Sequence, residues 1–209
     1  MEPILSAPEP ALYPLLAAVH LPLNWFDAVF VLTIGYGGRA GRANGLSGEH
    51  IPLGMWLLIG LAGGVMGDLF GSLLQIALRL SAYWSRMIGC CLWIGAVWGG
   101  FAFLRSRGIN QLKDSDWFGK IEFPLGIAAG ALRTFCILLT VLSLLNGRIY
   151  TIEQIRAQRE AQIEELGSAI FPTVGMINGA VFRSSFVGPY LVRWFGWALI
   201  TASPAPPKL

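Results

Sequence analysis

Charge is what this chain has least of. Asp, Glu, Lys and Arg make up 13% of its 209 residues, about half the usual share, while 55% are apolar. A soluble domain of this size cannot clothe itself in water-compatible surface from so small a stock, so composition places the chain in lipid. The formal net charge is only +3, which gives no basis for nucleic-acid binding. Histidine is nearly absent, with His20 and His50 alone, and the three cysteines, Cys90, Cys91 and Cys136, fall inside apolar runs. No metal-ligand spacing and no phosphate-binding loop can be assembled from these residues, so neither metal nor cofactor is expected. The cysteines read as small apolar fillers.

What is plentiful is apolar chain in bilayer-length pieces. Residues 121–146, IEFPLGIAAGALRTFCILLTVLSLLN, carry a single intramembrane charge, Arg133. At 1.5 Å per residue, positions 124–145 cover roughly 30 Å, the thickness of a hydrocarbon core. An arginine at that depth should face other helices or water, because lipid tails offer its donors no acceptor. Residues 87–104 form an uncharged span, and residues 51–78 are longer than one perpendicular crossing needs, with Asp68 their only charge. A first helix should begin at Asn24, with Asp27 placed as in a capping box, and its apolar run to Tyr36 is short unless it continues through Gly37 and Gly38. The expectation is an all-α polytopic bundle of about four transmembrane helices with a C-terminal amphipathic tail.

Before the bundle, residues 1–22 hold no Lys or Arg but several prolines, and read as an irregular or interfacial lead-in rather than a secretory signal. Between the first two helices, GGRAGRANGLSGEH is expected to be a membrane-surface loop, with Arg39 and Arg42 in reach of lipid phosphates. Its Gly45-Leu46-Ser47-Gly48 has the G-x-S-G form of an intramembrane serine protease. A nucleophile needs a base held beside it, however, and neither histidine lies in a later span, so no catalytic residue is assigned. Glycines in the spans, Gly60, Gly63, Gly64, Gly67, Gly71, Gly95, Gly99, Gly126 and Gly130, recur at helical spacing and should let helices pack closely. The joints on one side of the bundle hold Arg39, Arg42, Arg105, Arg107, Lys113 and Lys120, which orients both chain ends away from the cytoplasm.

Residues 147–202 form a distinct tail. Thr151 and Gln154 make a second capping box opening a water-facing helix, and the stretch over 171–201, cut by Pro172 and Gly188-Pro189 and bearing Tyr190, Trp194 and Trp197, reads as interfacial and amphipathic rather than as a fifth crossing. Residues 203–209 should be a disordered end. The two isolated intramembrane charges suggest a pairing of Asp68 with Arg133; the alternative places Asp68 near an interface and lets Arg133 snorkel to phosphates or carbonyls.

The order of features across residues 23–145 resembles the colicin V production protein family, CvpA. The resemblance rests on Asn24, Phe26 and Asp27, on the Gly/Arg-rich stretch with Arg39, Arg42 and Glu49, and on the P-L-G-x-x-x-G-x-L-R run holding Pro124, Gly126, Gly130 and Arg133. Glu122 and Thr134 stand where family members commonly have Asp and Gly. The resemblance implies a small multi-pass protein of the bacterial inner membrane, associated with colicin V (toxin) production or export and with envelope maintenance. With no catalytic constellation to read, the expected role is a non-enzymatic envelope factor or scaffold, partnered by the bilayer and by a second copy or another membrane protein. The alternative is a channel or transporter component using Asp68 and Arg133.

Overall fold

The computed structural model describes residues 23–107, 121–166 and 172–204. The expected lead-in over 1–22, the loop over 108–120 with its Trp117, and the end from residue 205 lie outside the described residues. Among the described residues, three helices are long and apolar enough to cross a membrane: α1 (Trp25–Leu78), α2 (Ala82–Ser106) and α3 (Glu122–Asn146). The shorter α4 (Ile152–Leu166), α5 (Val174–Phe182) and α6 (Val187–Phe195) follow, then a 3-10 turn, Gly196–Ala198.

α1 begins as a capping box. The Asn24 backbone N–H donates to Asp27 Oδ2 at 2.8 Å, and the Asn24 side chain accepts from the Trp25 N–H at 2.7 Å. The helix does not stop at Tyr36. The glycine-rich stretch expected to be a surface loop is helical throughout except at Gly45, whose φ of 67° and ψ of 172° lie in a region open essentially to glycine alone. Bonding within the helix satisfies the backbone here, and close packing of Gly37 and Gly41 on α3 outweighs the poor helix propensity of glycine. Gly45 therefore divides α1 into two limbs, residues 25–44 and 46–78, about 30 Å and 50 Å long.

The limbs run in opposite directions, as their contacts with α3 show. Along the first limb, Phe30 meets Phe135, Gly37 meets Thr134, Gly41 meets Gly130 and Gly45 meets Glu122, so rising numbers face falling ones. Along the second, Ser47 meets Glu122, Glu49 meets Arg133 and Gly60 meets Cys136, a parallel course. α2 returns antiparallel to the second limb. Gly71 lies against Arg86 and Gly67 against Cys90, while the Trp93 indole donates to the Leu58 carbonyl at 3.2 Å. One end of the bundle thus carries Gly45 and Glu122, the other Asn24, Asp68, Arg86 and Asn146.

Close approach through glycine makes this arrangement possible. A Cβ on Gly130 would come within 2.7 Å of Gly41 Cα, one on Gly60 within 2.8 Å of the Cys136 carbonyl, and one on Gly71 within 2.7 Å of Arg86 Cα. Gly64 and Gly126 are similarly crowded, and Gly67 is tight, its Cβ position 3.2 Å from Cys90 Cβ. Three of the expected packing glycines are not: Gly63, Gly95 and Gly99 have no atom within 4 Å of a built Cβ. The packed ridge of the second limb is Gly60-Gly64-Gly67-Gly71, which follows the stripe of alternating four- and three-residue steps. That stripe leaves Gly63 beside it, and Gly95 and Gly99 lie on the exposed side of α2.

The tail folds back onto the Asn24 end. Val181, Leu191, Ala198 and Leu199 join Phe26, Leu139 and Leu142 in one apolar cluster. α5 and α6 have nine residues each, too few to span a bilayer. The Thr151–Gln154 capping box forms as expected, with reciprocal bonds of 3.2 and 3.3 Å. The disordered end expected over 203–209 does not include Ser203–Pro204, which pairs in parallel with Arg148–Ile149 in a two-residue bridge.

Gly130→Ala should lower the midpoint of unfolding in detergent, costing about 1–3 kcal/mol by overpacking. Gly99→Ala, with open space around it, should stay within about 0.5 kcal/mol of the parent. Equal effects of the two substitutions would remove the close approach from the account.

Candidate functional site

A buried polar cluster surrounds the break at Gly45. One turn beyond it, Glu49 is completely buried, and its Oε2 lies 2.7 Å from Arg133 Nη1. Asn44, just before the break, donates its amide to Glu49 Oε1 at 2.7 Å. The Ser47 hydroxyl donates to Glu122 Oε1, also at 2.7 Å, tying the start of the second limb to the start of α3. Arg133 reaches Glu49 because helical side chains lean toward the helix N-terminus, which carries its guanidinium toward the Gly45 end. The contact is an ion pair rather than a well-angled hydrogen bond, and the buried Arg133 Nε meets no acceptor. Coulomb attraction in low dielectric thus holds the pair, against a large desolvation cost for each charge.

The expected partnership of Asp68 with Arg133 is corrected by this geometry. Asp68 lies 19 residues beyond Glu49 on the same limb, roughly 28 Å along the helix, far outside the reach of one arginine. Its carboxylate meets Arg86 instead, with Nε to Oδ1 at 3.3 Å, and accepts from the Thr201 hydroxyl at 2.5 Å and the Thr201 N–H at 3.3 Å. Arg86 Nη1 in turn donates to the Thr201 carbonyl at 2.8 Å. The Ser143 hydroxyl accepts from the Ile200 N–H at 2.9 Å, and the Asn146 amide donates to the Ile200 carbonyl at 3.0 Å. Residues 198–200 are non-helical or at a helix end and nearly fully buried, yet side chains of α1, α2 and α3 bind the polar backbone at 200 and 201.

Asp27 does more than cap α1. Its Oδ1 accepts from the Val187 N–H at 2.9 Å and its Oδ2 from the Phe186 N–H at 3.0 Å, so one buried carboxylate also binds the N-terminus of α6. Asn24 adds a bond from its amide to the Ala180 carbonyl at 3.1 Å.

Of the residues that carry the family resemblance, the fold joins Glu49 to Arg133, stacks Gly126 and Gly130 on the first limb, and links Asn24 with Asp27. Pro124 sits in the first turn of α3, where a missing N–H leaves no helical bond unmade. Arg39 and Arg42 stand apart from the ion pair, exposed, beside an open cleft shared with Phe123. Ser47 and His50 do not form a nucleophile and base: His50 Nδ1 contacts the Ser47 backbone carbonyl at 2.7 Å, while the hydroxyl is engaged by Glu122. Cys90 and Cys136 are buried at helix contacts and Cys91 is exposed; all three are free thiols. Sequence reading missed the Glu49–Arg133 link, because a helical Glu49 was concealed in a stretch rich in loop-forming residues. It also missed Arg86, Ser143 and Asn146 as anchors of the tail, for which ordinary polar residues at helix ends gave no signal.

The geometry fixes how substitutions should combine. Glu49→Ala, which leaves a guanidinium unpaired, should cost about 3–5 kcal/mol. Adding Arg133→Ala should cost far less than the sum of the separate losses. Asp68→Ala and Arg133→Ala should instead add to within about 0.5 kcal/mol. Unfolding titrations of the three single and two double variants check this, and coupling of Arg133 to Asp68 rather than to Glu49 would refute the geometry.

Among known proteins, no family model matches the chain, no curated protein matches it, and no solved structure matches it.

Proposed function

We propose that this chain is a non-enzymatic scaffold of the bacterial inner membrane, crossing it four times, with the two limbs of α1 as separate crossings and the amphipathic tail resting on one surface. The role is that of an envelope assembly factor, of the kind the CvpA resemblance associates with colicin V production or export. One observation carries the reading. All four acidic side chains of the long helices are engaged inside the chain: Asp27 by backbone N–H groups, Glu49 by Arg133 and Asn44, Asp68 by Arg86 and Thr201, and Glu122 by Ser47. A channel or carrier needs polar groups that exchange partners with a passing solute. Carboxylates already committed to structural partners suit a rigid framework better, and the separation of Asp68 from Arg133 weakens the path those two were expected to line.

A framework of this kind acts by holding other proteins, and its exposed helix faces supply the contact. On α2, Leu92 and Trp98 are exposed beside Gly95 and Gly99. In lipid such a surface is unremarkable by itself, since apolar side chains are at home there; what favours association is the close approach that glycine allows. Both ends of the chain lie outside the cytoplasm in this proposal, as the basic residues at the Gly45 end favour.

The test has two parts. Purified protein in liposomes should pass no ions or protons above the level of empty vesicles, and Asp68→Asn should change nothing. Crosslinking in intact membranes followed by affinity capture should recover a second copy or a membrane-protein partner. Flux that depends on Asp68 or Glu49 would replace the scaffold with a transporter.

A further inference from the structure

At the Asn24 end, the chain leaving α3 and the tail helices enclose a second basic feature, far from the Glu49–Arg133 pair. A cleft of about 390 Å³ lies between the α3 terminus and the α5–α6 pair, with Arg148 and Arg183 in its lining, Asn146 and Asn178 in its wall, and Phe182 and Val192 as its apolar side. Among the described residues, no carboxylate lines it. The Arg148 guanidinium lies 5.7 Å from the Tyr83 ring centre and 5.4 Å from that of Tyr150, and its buried Nε meets no acceptor. Arg183, exposed at the end of α5, forms no ion pair among the described residues. The amides of Asn146 and Asn178 donate to the Ile200 and Leu145 carbonyls at 3.0 and 2.9 Å, which fixes the wall in place.

We propose that this cleft binds a phosphate group, with Arg148 and Arg183 as its two cationic contacts and Phe182 and Val192 against the apolar portion of the ligand. A guanidinium positioned by aromatic rings instead of a carboxylate keeps its charge and part of its donor set for a ligand. A phosphate offers acceptors to two arginines at once, where a carboxylate is filled by one fork. The cleft lies where the long helices end and the tail begins, and Tyr190, Trp194 and Trp197 are exposed on the same tail. Aromatic side chains of this type settle at the headgroup level, within reach of phospholipids. A lipid headgroup and a soluble phosphate compound share the required chemistry.

Native mass spectrometry of the full chain, released from micelles doped equally with phosphatidic acid and phosphatidylcholine, tests the site. The wild type should retain phosphatidic acid in preference. Retention should fall about tenfold in R183Q and in R148Q, as expected for the loss of one charge-assisted contact. The R156Q/R159Q double variant, which removes two exposed arginines of α4 that do not line the cleft, should behave as wild type. Arg183 is exposed, so R183Q keeps the test decisive even where R148Q disturbs the fold. In a second arm, inorganic phosphate that displaces the lipid at millimolar concentration marks a soluble phosphate ligand, and lipid retained against it marks a headgroup; either supports the site. No preference in the wild type, undiminished retention in R183Q, or an equal loss in R156Q/R159Q overturns it.

Discussion

A guanidinium in the middle of an apolar helix must find an anion, and the fold is arranged so that Arg133 finds Glu49. The carboxylate is fully buried and stands one turn beyond Gly45. For the two to meet, α1 must reverse direction at Gly45 and both of its limbs must lie against α3. The reversal needs a backbone conformation that only glycine adopts easily, and the contact needs Gly37, Gly41, Gly126 and Gly130 to bring the first limb and α3 close together. Charge, turn and glycine face are one constraint seen from three sides. The Ser47–Glu122 bond secures the same corner from the other direction.

The opposite end solves a different problem. Leu199 and Ile200 leave regular structure while still buried against the bundle, a costly place for bare peptide groups. Ser143, Asn146, Asp68 and Arg86 bind the polar groups at Ile200 and Thr201, and Asp27 does the same for the first amides of α6. Asp68 therefore belongs to the attachment of the tail. Gly64, which would clash with the Ala198 and Leu199 backbone if it carried a side chain, makes room for the same segment. The tail is consequently part of the folded body at this end, as well as bearing exposed tryptophans.

Much of this was legible before any coordinates. Long apolar runs identify α2 and α3 directly, since bilayer-length hydrophobic chain has few other uses, and the Asn24–Asp27 and Thr151–Gln154 caps could be read from spacing alone. The corner at Gly45 could not. Gly, Arg, Asn and Ser crowd together over residues 37–48, and local propensity favours a loop there; only packing against α3 makes the helix worthwhile. Losing that helix hid Glu49 from Arg133 and left Asp68 as the nearest conspicuous acid. Glycine periodicity identified Gly60, Gly126 and Gly130 but not which helix face a partner would cover, so Gly95 and Gly99 were grouped with positions that are truly crowded. The residues carrying the CvpA resemblance nevertheless include both members of the ion pair, and Glu122 and Thr134, where the pattern departs, make their own contacts with Ser47 and Gly37.

A framework built on one buried ion pair gains definition at some cost in stability, because two apolar residues of similar volume could fill the same space without desolvating charge. That trade fits the scaffold role proposed for the chain. The direct measurement is a solid-state NMR distance between the Arg133 guanidinium nitrogens and side-chain carboxyl carbons, on the labelled full chain in bilayers. The account predicts strong dipolar coupling to Glu49, in keeping with the 2.7 Å nitrogen–oxygen contact, and none to Asp68. Coupling to Asp68, or no carboxylate near Arg133 at all, would contradict it.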